Sequence, residues 1–405
     1  MWTEMGQIKT GHMKYFVSLG GVRGIFAILI AIYHASWISN INSSDLLTNG
    51  TLMVDIFFVL SGFLMFRLYD GHLNSGGDGR NFIKRRFARV YPLQFFMLLV
   101  LFLYALARLV AQWVGVATYD VGEILPFEHG ATETIQSFLS NLTLTQSMGF
   151  HDHLSYNMPS WSVSVEFWTY FVFLGVMLWA RPKKAWHFSV IAILIGINYY
   201  VLSTLKPDIN FHYDLGFWRC LGGFFTGVLV AYCYRKTLPF YTKLKQKTKA
   251  KAFVAFATIF EIFLLSLMGG FMIYFPGKAQ FFIAPIAFVF VFGFAFDMGL
   301  ISRVLAMKPF WYLAKISYSI YMVHFIISLA FSIGIELFFP RLFGPLWNAT
   351  KISGDLLLIP YLGLVLLISH FTYKYVEMPG RRAILKYDFQ GHLRSIFSKL
   401  KPSKT

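Results

Sequence analysis

The sequence predicts an all-α, polytopic transmembrane helical bundle of about ten spans, with both termini in the cytoplasm. Three observations predict it. Hydrophobic residues make up 57% of the 405 and charged residues only 14%, whereas a soluble domain carries about 25% charged residues. The mean hydropathy is +0.57. The apolar residues gather into ten runs of about 20, the length that crosses a ~30 Å hydrocarbon core as a helix, and the loops between them alternate in charge.

The runs follow in order. The first, 16–38, contains Arg23 and His34, eleven residues apart. The second, 51–69, has Asp55 about one turn from its start. The third, 90–112, follows the cationic stretch from Lys84 to Arg89. The fourth, 159–180, opens on Pro159 and Ser160, residues suited to a first helical turn, and carries Glu166 two turns in. The fifth is 187–204, and the sixth, 215–234, brings Arg219. The seventh and eighth, 252–275 and 280–298, are divided only by a short turn that contains Pro276 and Gly277. The ninth is 312–337 and the tenth 355–375. The 19% aromatic content suits lipid-facing surfaces and interfacial belts.

The loops sort into two sets. One is basic: 80–89, 181–184, 235–251, 303–315 and the tail from Lys374. The other is poor in Lys and Arg. Between 113 and 158 there is none, but Asp120, Glu123, Glu128, Glu133 and Asp152 occur there. The sets alternate, so basic loops face the cytoplasm and the 113–158 loop lies outside. That loop could cap a site or serve as a passive connection. The Lys-rich stretch 243–251 reads as an orientation determinant. Residues 1–382 form one membrane domain, and 383–405 form a basic cytoplasmic tail too short for a second domain. The net charge of +17 is distributed as a positive-inside signal, which argues against a nucleic-acid partner. The two cysteines, Cys220 and Cys233, are ~20 Å apart along one helix and cannot bridge. No metal site, cleavable signal peptide or internal repeat is expected.

Polar residues inside spans mark candidate chemistry, because ionisable groups at such depth line cavities, pair or react. Arg23 and His34 are ~16 Å apart along a helix axis. Asp55 shares the depth of His34 on the next span. It could orient the imidazole through one ring nitrogen, or be an acid favoured by the helix N-terminus. Glu166 could act at the site or pair with Arg219. Lys84, Arg85, Arg86 and Arg89 are ordinary as a positive-inside signal. They also suit a phosphorylated donor, with Arg86 and Arg89 on one helical face. Ser317, Tyr321 and His324, at i, i+4 and i+7, form a polar stripe on the ninth span, and interhelical hydrogen bonding is the plain reading of it. Glu377 is expected as a cap or loop contact at the membrane edge.

These residues resemble the integral-membrane acyltransferase family 3, the O-acetyltransferases that modify bacterial glycans. The resemblance runs from Lys14 to Arg382. Its landmarks occur in order: Arg23 and His34; Val54 to Gly62; Arg86-Phe-Ala-Arg89 with Val90-Tyr-Pro92; Trp161 to Glu166; Ser317 to His324; and Val376-Glu-Met-Pro379. It implies His34 as the essential imidazole and Arg86 with Arg89 as a donor-side site for acyl-CoA. Phe167 stands where the family often has a second acid, which speaks against a paired-carboxylate mechanism. Some members carry a fused extracytoplasmic hydrolase-like domain; this chain is expected to be of the stand-alone type.

The expected function is therefore transfer of an acyl group, most simply acetyl, from cytoplasmic acyl-CoA to a hydroxyl of a glycan or lipid-linked saccharide outside a bacterial cytoplasmic membrane. Acyl-CoA is a substrate, and no permanently bound cofactor is expected. His34 would be the base, with Asp55 or Glu166 orienting it, and Arg23, Ser317 or Tyr321 as donors to the oxyanion. An acyl-His34 intermediate is a second route. A transporter or flippase, and an accessory acyl-delivery subunit, are the rival classes.

Overall fold

The computed structural model describes residues 16–115, 124–337 and 351–387. Lys14, Asp120, Glu123 and the tail beyond 387 lie outside the described residues. Every regular element among those described is helical. Among the described residues, nine helices are long and apolar enough to cross a membrane, and the shorter apolar helix α1 (Val17–Tyr33) packs among them. Nine and one make the expected ten. The remaining spans are α3 (Leu52–Tyr69), α4 (Gly76–Trp113), α6 (Trp161–Gly175), α7 (Ala185–Leu205), α8 (Gly216–Lys247), α9 (Ala250–Tyr274), α10 (Ile283–Phe294), α12 (Lys308–Leu337) and α13 (Lys351–Thr372). Short helices α2 (Asp45–Thr48), α5 (Ile135–Leu142), α11 (Leu300–Leu305) and α14 (Met378–Lys386) complete the order.

Three boundaries differ from expectation, each for a local reason. The first helix ends at Tyr33, so His34 is its C-cap rather than an interior residue. Helix α4 begins at Gly76, four turns before the expected 90. The Ser75 hydroxyl accepts the amide of Asp78, and the Asp78 carboxylate accepts the amide of Ser75, so the helix starts there. The cation cluster is thus helical, and Pro92 lies inside the helix. Helix α8 continues past the expected 234 to Lys247, with Pro239 inside it.

Two parallel helix pairs position the polar residues. Helices α1 and α12 run in constant register. Arg23 Nε donates to Ser317 Oγ at 3.1 Å, and Ser328 Oγ donates to the His34 carbonyl at 2.7 Å, both across 294 residues. Gly24 permits this closeness, since a Cβ there would lie 2.7 Å from that of Leu313. Helices α3 and α8 are joined by Asp55 with Arg219 near one end and by an Asp70–Arg235 ion pair near the other. Between them, a Cβ on Gly62 would overlap the Phe224 carbonyl, and one on Gly227 the Val59 carbonyl. Small residues at a membrane crossing let backbones approach in this way.

Candidate active site

Helices α1, α3, α4, α6 and α12 enclose a cavity of about 810 Å³, its mouth included. Arg23, Arg86, Arg89, Glu166, Ser317 and Tyr321 line it together with Ser61, Ser162, Tyr170 and Tyr318. Six side chains singled out on four different stretches of sequence therefore converge. Lys84 and Arg85 do not line it. Lys84 donates to the carbonyls of Leu385 and Tyr387 at 3.0 and 2.8 Å, tying α4 to α14, and Arg85 is exposed.

The two arginines expected to act as a pair are in different states. Arg89 forms a buried ion pair with Glu377, whose other oxygen accepts from Ser319 Oγ at 2.9 Å. Glu377 is fully buried, so the expected edge cap is corrected to an interior counter-ion. Packing of Gly380 against Pro92 brings α14 onto α4 and sets this contact, since a Cβ on Gly380 would lie 2.6 Å from that of Pro92. Glu377 also closes a π-turn, Tyr373–Glu377, which sequence periodicity does not reveal. Arg86 is 5% exposed, and among the described residues it makes no hydrogen bond or ion pair. Its guanidinium lies 5.9 Å over the Tyr69 ring.

Glu166 accepts from the Tyr170 hydroxyl at 2.7 Å, and that hydroxyl lies 3.3 Å from Ser61 Oγ. Glu166 does not pair with Arg219. Arg219 belongs to Asp55: Nε donates to Oδ1 at 3.0 Å and Nη2 to Oδ2 at 2.7 Å, with the carbonyls of Thr51, Ile209 and Phe211 taking the rest. Both side chains are sealed from solvent. Asp55 therefore does not orient His34. A fully buried arginine takes the bidentate carboxylate that matches its fork, and the imidazole cannot compete for it.

His34 has another partner. Its Nδ1 lies 3.0 Å from the Ile30 carbonyl and 3.2 Å from Nε2 of His324, and the rings are 5.0 Å apart. Nε2 of His34 has no hydrogen-bond partner among the described residues. His34 does not line the cavity. Tyr321 separates the two: its hydroxyl donates to the Pro159 carbonyl at 2.7 Å and sits 2.7 Å from Ser162 Oγ. The long loop pins this ceiling, with Asn157 donating to the Met322 carbonyl and Ser164 and Trp168 to that of Leu144. Arg23, about 16 Å of helix below His34, cannot reach the same carbonyl carbon as the imidazole. Its partner, Ser317, lies in the cavity.

His212, in the loop between α7 and α8, was not singled out from the sequence. Its ring stands edge-on to Trp161 at 4.8 Å. Burial, then the charge of Arg219, then His34, push it down to about 3, so it stays neutral near pH 7. Nothing in a lone loop histidine signals such a neighbourhood.

The family model described as an acyltransferase domain matches residues 16–379. The peptidoglycan O-acetyltransferase OatA of Listeria monocytogenes is 23% identical over 394 residues, covering 91% of this chain and 56% of that protein. The O-acetyltransferase OatA of Staphylococcus aureus strain NCTC 8325 is 23% identical over 391 residues, covering 91% and 58%. The chain thus spans little more than half the length of these relatives. No solved structure matches it.

Proposed function

This chain belongs to the acyltransferase-domain family, and on that premise we propose that it is a multi-pass membrane O-acyltransferase. It takes an acyl group, most simply acetyl, from acyl-CoA at the basic face and transfers it to a glycan hydroxyl near the opposite face of a bacterial cytoplasmic membrane. The names of the relatives favour a peptidoglycan acceptor. The observation that carries the reading is Arg86: a buried cation that makes no hydrogen bond or ion pair among the described residues and lines a cavity shared with Ser317 and Tyr321 of the α12 stripe. Keeping such a charge unpaired is costly, and an anionic ligand offsets that cost.

The chemistry assigns each group a part. Arg86 holds phosphate of the donor, and Arg89, neutralised by Glu377, shapes the mouth beside it. Arg23 keeps the inner wall cationic. The thioester arm rises between α1, α6 and α12. The acceptor hydroxyl is too weak a nucleophile alone, so His34 Nε2 takes its proton as oxygen attacks the thioester carbon. The tetrahedral intermediate expels CoA thiolate, which leaves as the thiol with the proton from His34. The acyl group must pass the Tyr321 ceiling, so Tyr321 releases the Pro159 carbonyl in the course of transfer.

Purified chain in nanodiscs should consume acetyl-CoA when a peptidoglycan fragment is supplied, and the fragment should gain one acetyl mass. Translocation of unmodified glycan with intact thioester would replace this reading with the transporter.

A further inference from the structure

We infer that His324 is the positioning residue for His34, holding the imidazole in the tautomer that carries its proton on Nδ1 and leaves Nε2 free to accept one. The inference rests on the reading of His34 as the base.

The hydrogen-bond partners decide the tautomer. His324 Nδ1 lies 3.2 Å from the carbonyl of Ile320, one helical turn back. A carbonyl only accepts, so that nitrogen is the protonated one, and Nε2 of the neutral His324 ring offers a lone pair. This lone pair faces Nδ1 of His34 at 3.2 Å. His34 Nδ1 must then be the donor, and its second acceptor is the Ile30 carbonyl at 3.0 Å. The opposite assignment would set two lone pairs against carbonyl oxygens at both rings. Ile30 O already receives the backbone N–H of His34 at the helix end, so His324 supplies the acceptor that the ring does not share.

The neighbours hold the pair rigidly. The Tyr361 hydroxyl lies 2.9 Å from the Ala31 carbonyl and 3.3 Å from that of His324, bridging α1 and α12 from α13. Ser328 fixes the His34 carbonyl. His324 is fully buried and outside the donor cavity. Its effect on the reaction therefore passes through His34: it fixes the ring and stabilises the imidazolium that forms when Nε2 takes the acceptor proton. This is the place a carboxylate fills in a hydrolase triad, and Asp55 is not available for it.

The test uses the full chain in nanodiscs, with acetyl-CoA and a peptidoglycan fragment. His324→Ala should lower kcat about 10- to 100-fold, the range for loss of an orienting partner, with the KM for acetyl-CoA unchanged. His324→Gln, whose amide oxygen can accept from Nδ1, should recover most of the rate. A fold defect alone would lower active protein without this rescue. Nitrogen-15 NMR of histidine-labelled wild type, with His34 assigned by its loss in His34→Ala, should show the Nδ1–H tautomer. An Nε2–H tautomer in the wild type would overturn the inference without any variant at His324. An unchanged kcat in His324→Ala, with His34→Ala inactive, would overturn it while leaving His34 as the base. A His34→Ala enzyme retaining more than about a tenth of the rate would instead remove the base assignment itself.

Discussion

At the scale of residues, the proposed donor site turns on two arginines three positions apart that differ only in company. Arg86→Ala should raise the KM for acyl-CoA by roughly 10- to 100-fold, the worth of one charge-assisted hydrogen bond of about 1.5–3 kcal/mol, and should leave thermal stability near wild type. Arg89→Ala strands Glu377 in the interior. It should destabilise the fold by about 3–5 kcal/mol, and Glu377→Ala should do the same by stranding Arg89. Equal effects of Arg86→Ala and Arg89→Ala on stability, read by thermal melts in one detergent, would contradict this division. His212 gives a pH test. Because its folded value is about 3, it does not change charge between pH 5 and 8. A limb in the rate profile in that window belongs to another group, and His212→Gln should leave its midpoint in place. Much of this site was legible residue by residue, since a charge or a serine inside an apolar run is conspicuous. The partners were not. Asp55, Glu166 and Arg219 all lie at similar expected depth, and only the packing of α3 on α8 decides that Arg219 meets Asp55. The burial of Glu377 was not legible, because a carboxylate at a span end, just before Pro379 and Gly380, has an ordinary surface explanation.

At the scale of elements, the helices were readable because each must satisfy its own backbone in lipid, which forces long apolar runs. Their ends were less readable, for physical reasons that differ by case. Pro92 and the cations before it mimic a helix start, yet the Ser75–Asp78 capping box sets the start four turns earlier. The stripe of Ser317, Tyr321 and His324 was visible as periodicity, but its reach from the cavity to His34 follows from the register of α12 against α1. That register, and the tight crossing of α3 on α8, depend on glycine. Gly62→Ala or Gly227→Ala forces a Cβ into a facing carbonyl, so the helices must part. Overpacking typically costs about 1–3 kcal/mol, and here it would also strain the Asp55–Arg219 pair. Gly196→Ala on α7 is the control, with nothing within 4 Å of its Cβ. It should hold or slightly raise stability, as alanine does in a helix. Thermal melts of the three variants read this directly. Comparable melting for all three would mean that the crossing is not set by its glycines.

At the scale of the whole molecule, the arrangement implies a direction. Arg86 and the Arg89–Glu377 pair lie at the end of the bundle from which α4 rises, among the basic segments that the charge pattern assigns to the cytoplasm. His34 caps α1 at the other end, on the side to which the charge pattern assigns a loop whose described part has no lysine or arginine beyond Gly115. Between them stands Tyr321, tied to Ser162 and Pro159. The cavity is lined by Tyr321 but not by His324 or His34. A closed ceiling suits a transferase, since a standing pore past Arg23 and Glu166 would leak ions and expose the thioester to water. Under the proposed function, donor and acceptor are used from opposite faces. In sealed proteoliposomes sorted by orientation, acetyl-CoA should be consumed only when supplied at the Arg86 face, and acetylated glycan should accumulate only at the His34 face. Tyr321→Phe loses its bonds to Ser162 and Pro159, and should raise acetyl-CoA hydrolysis in the absence of acceptor. Product that stays on the side of the CoA would refute transfer across the bilayer. Unchanged hydrolysis in Tyr321→Phe, with correct sidedness, would show that packing of the tyrosine ring, rather than its hydroxyl, keeps the cavity apart from His34.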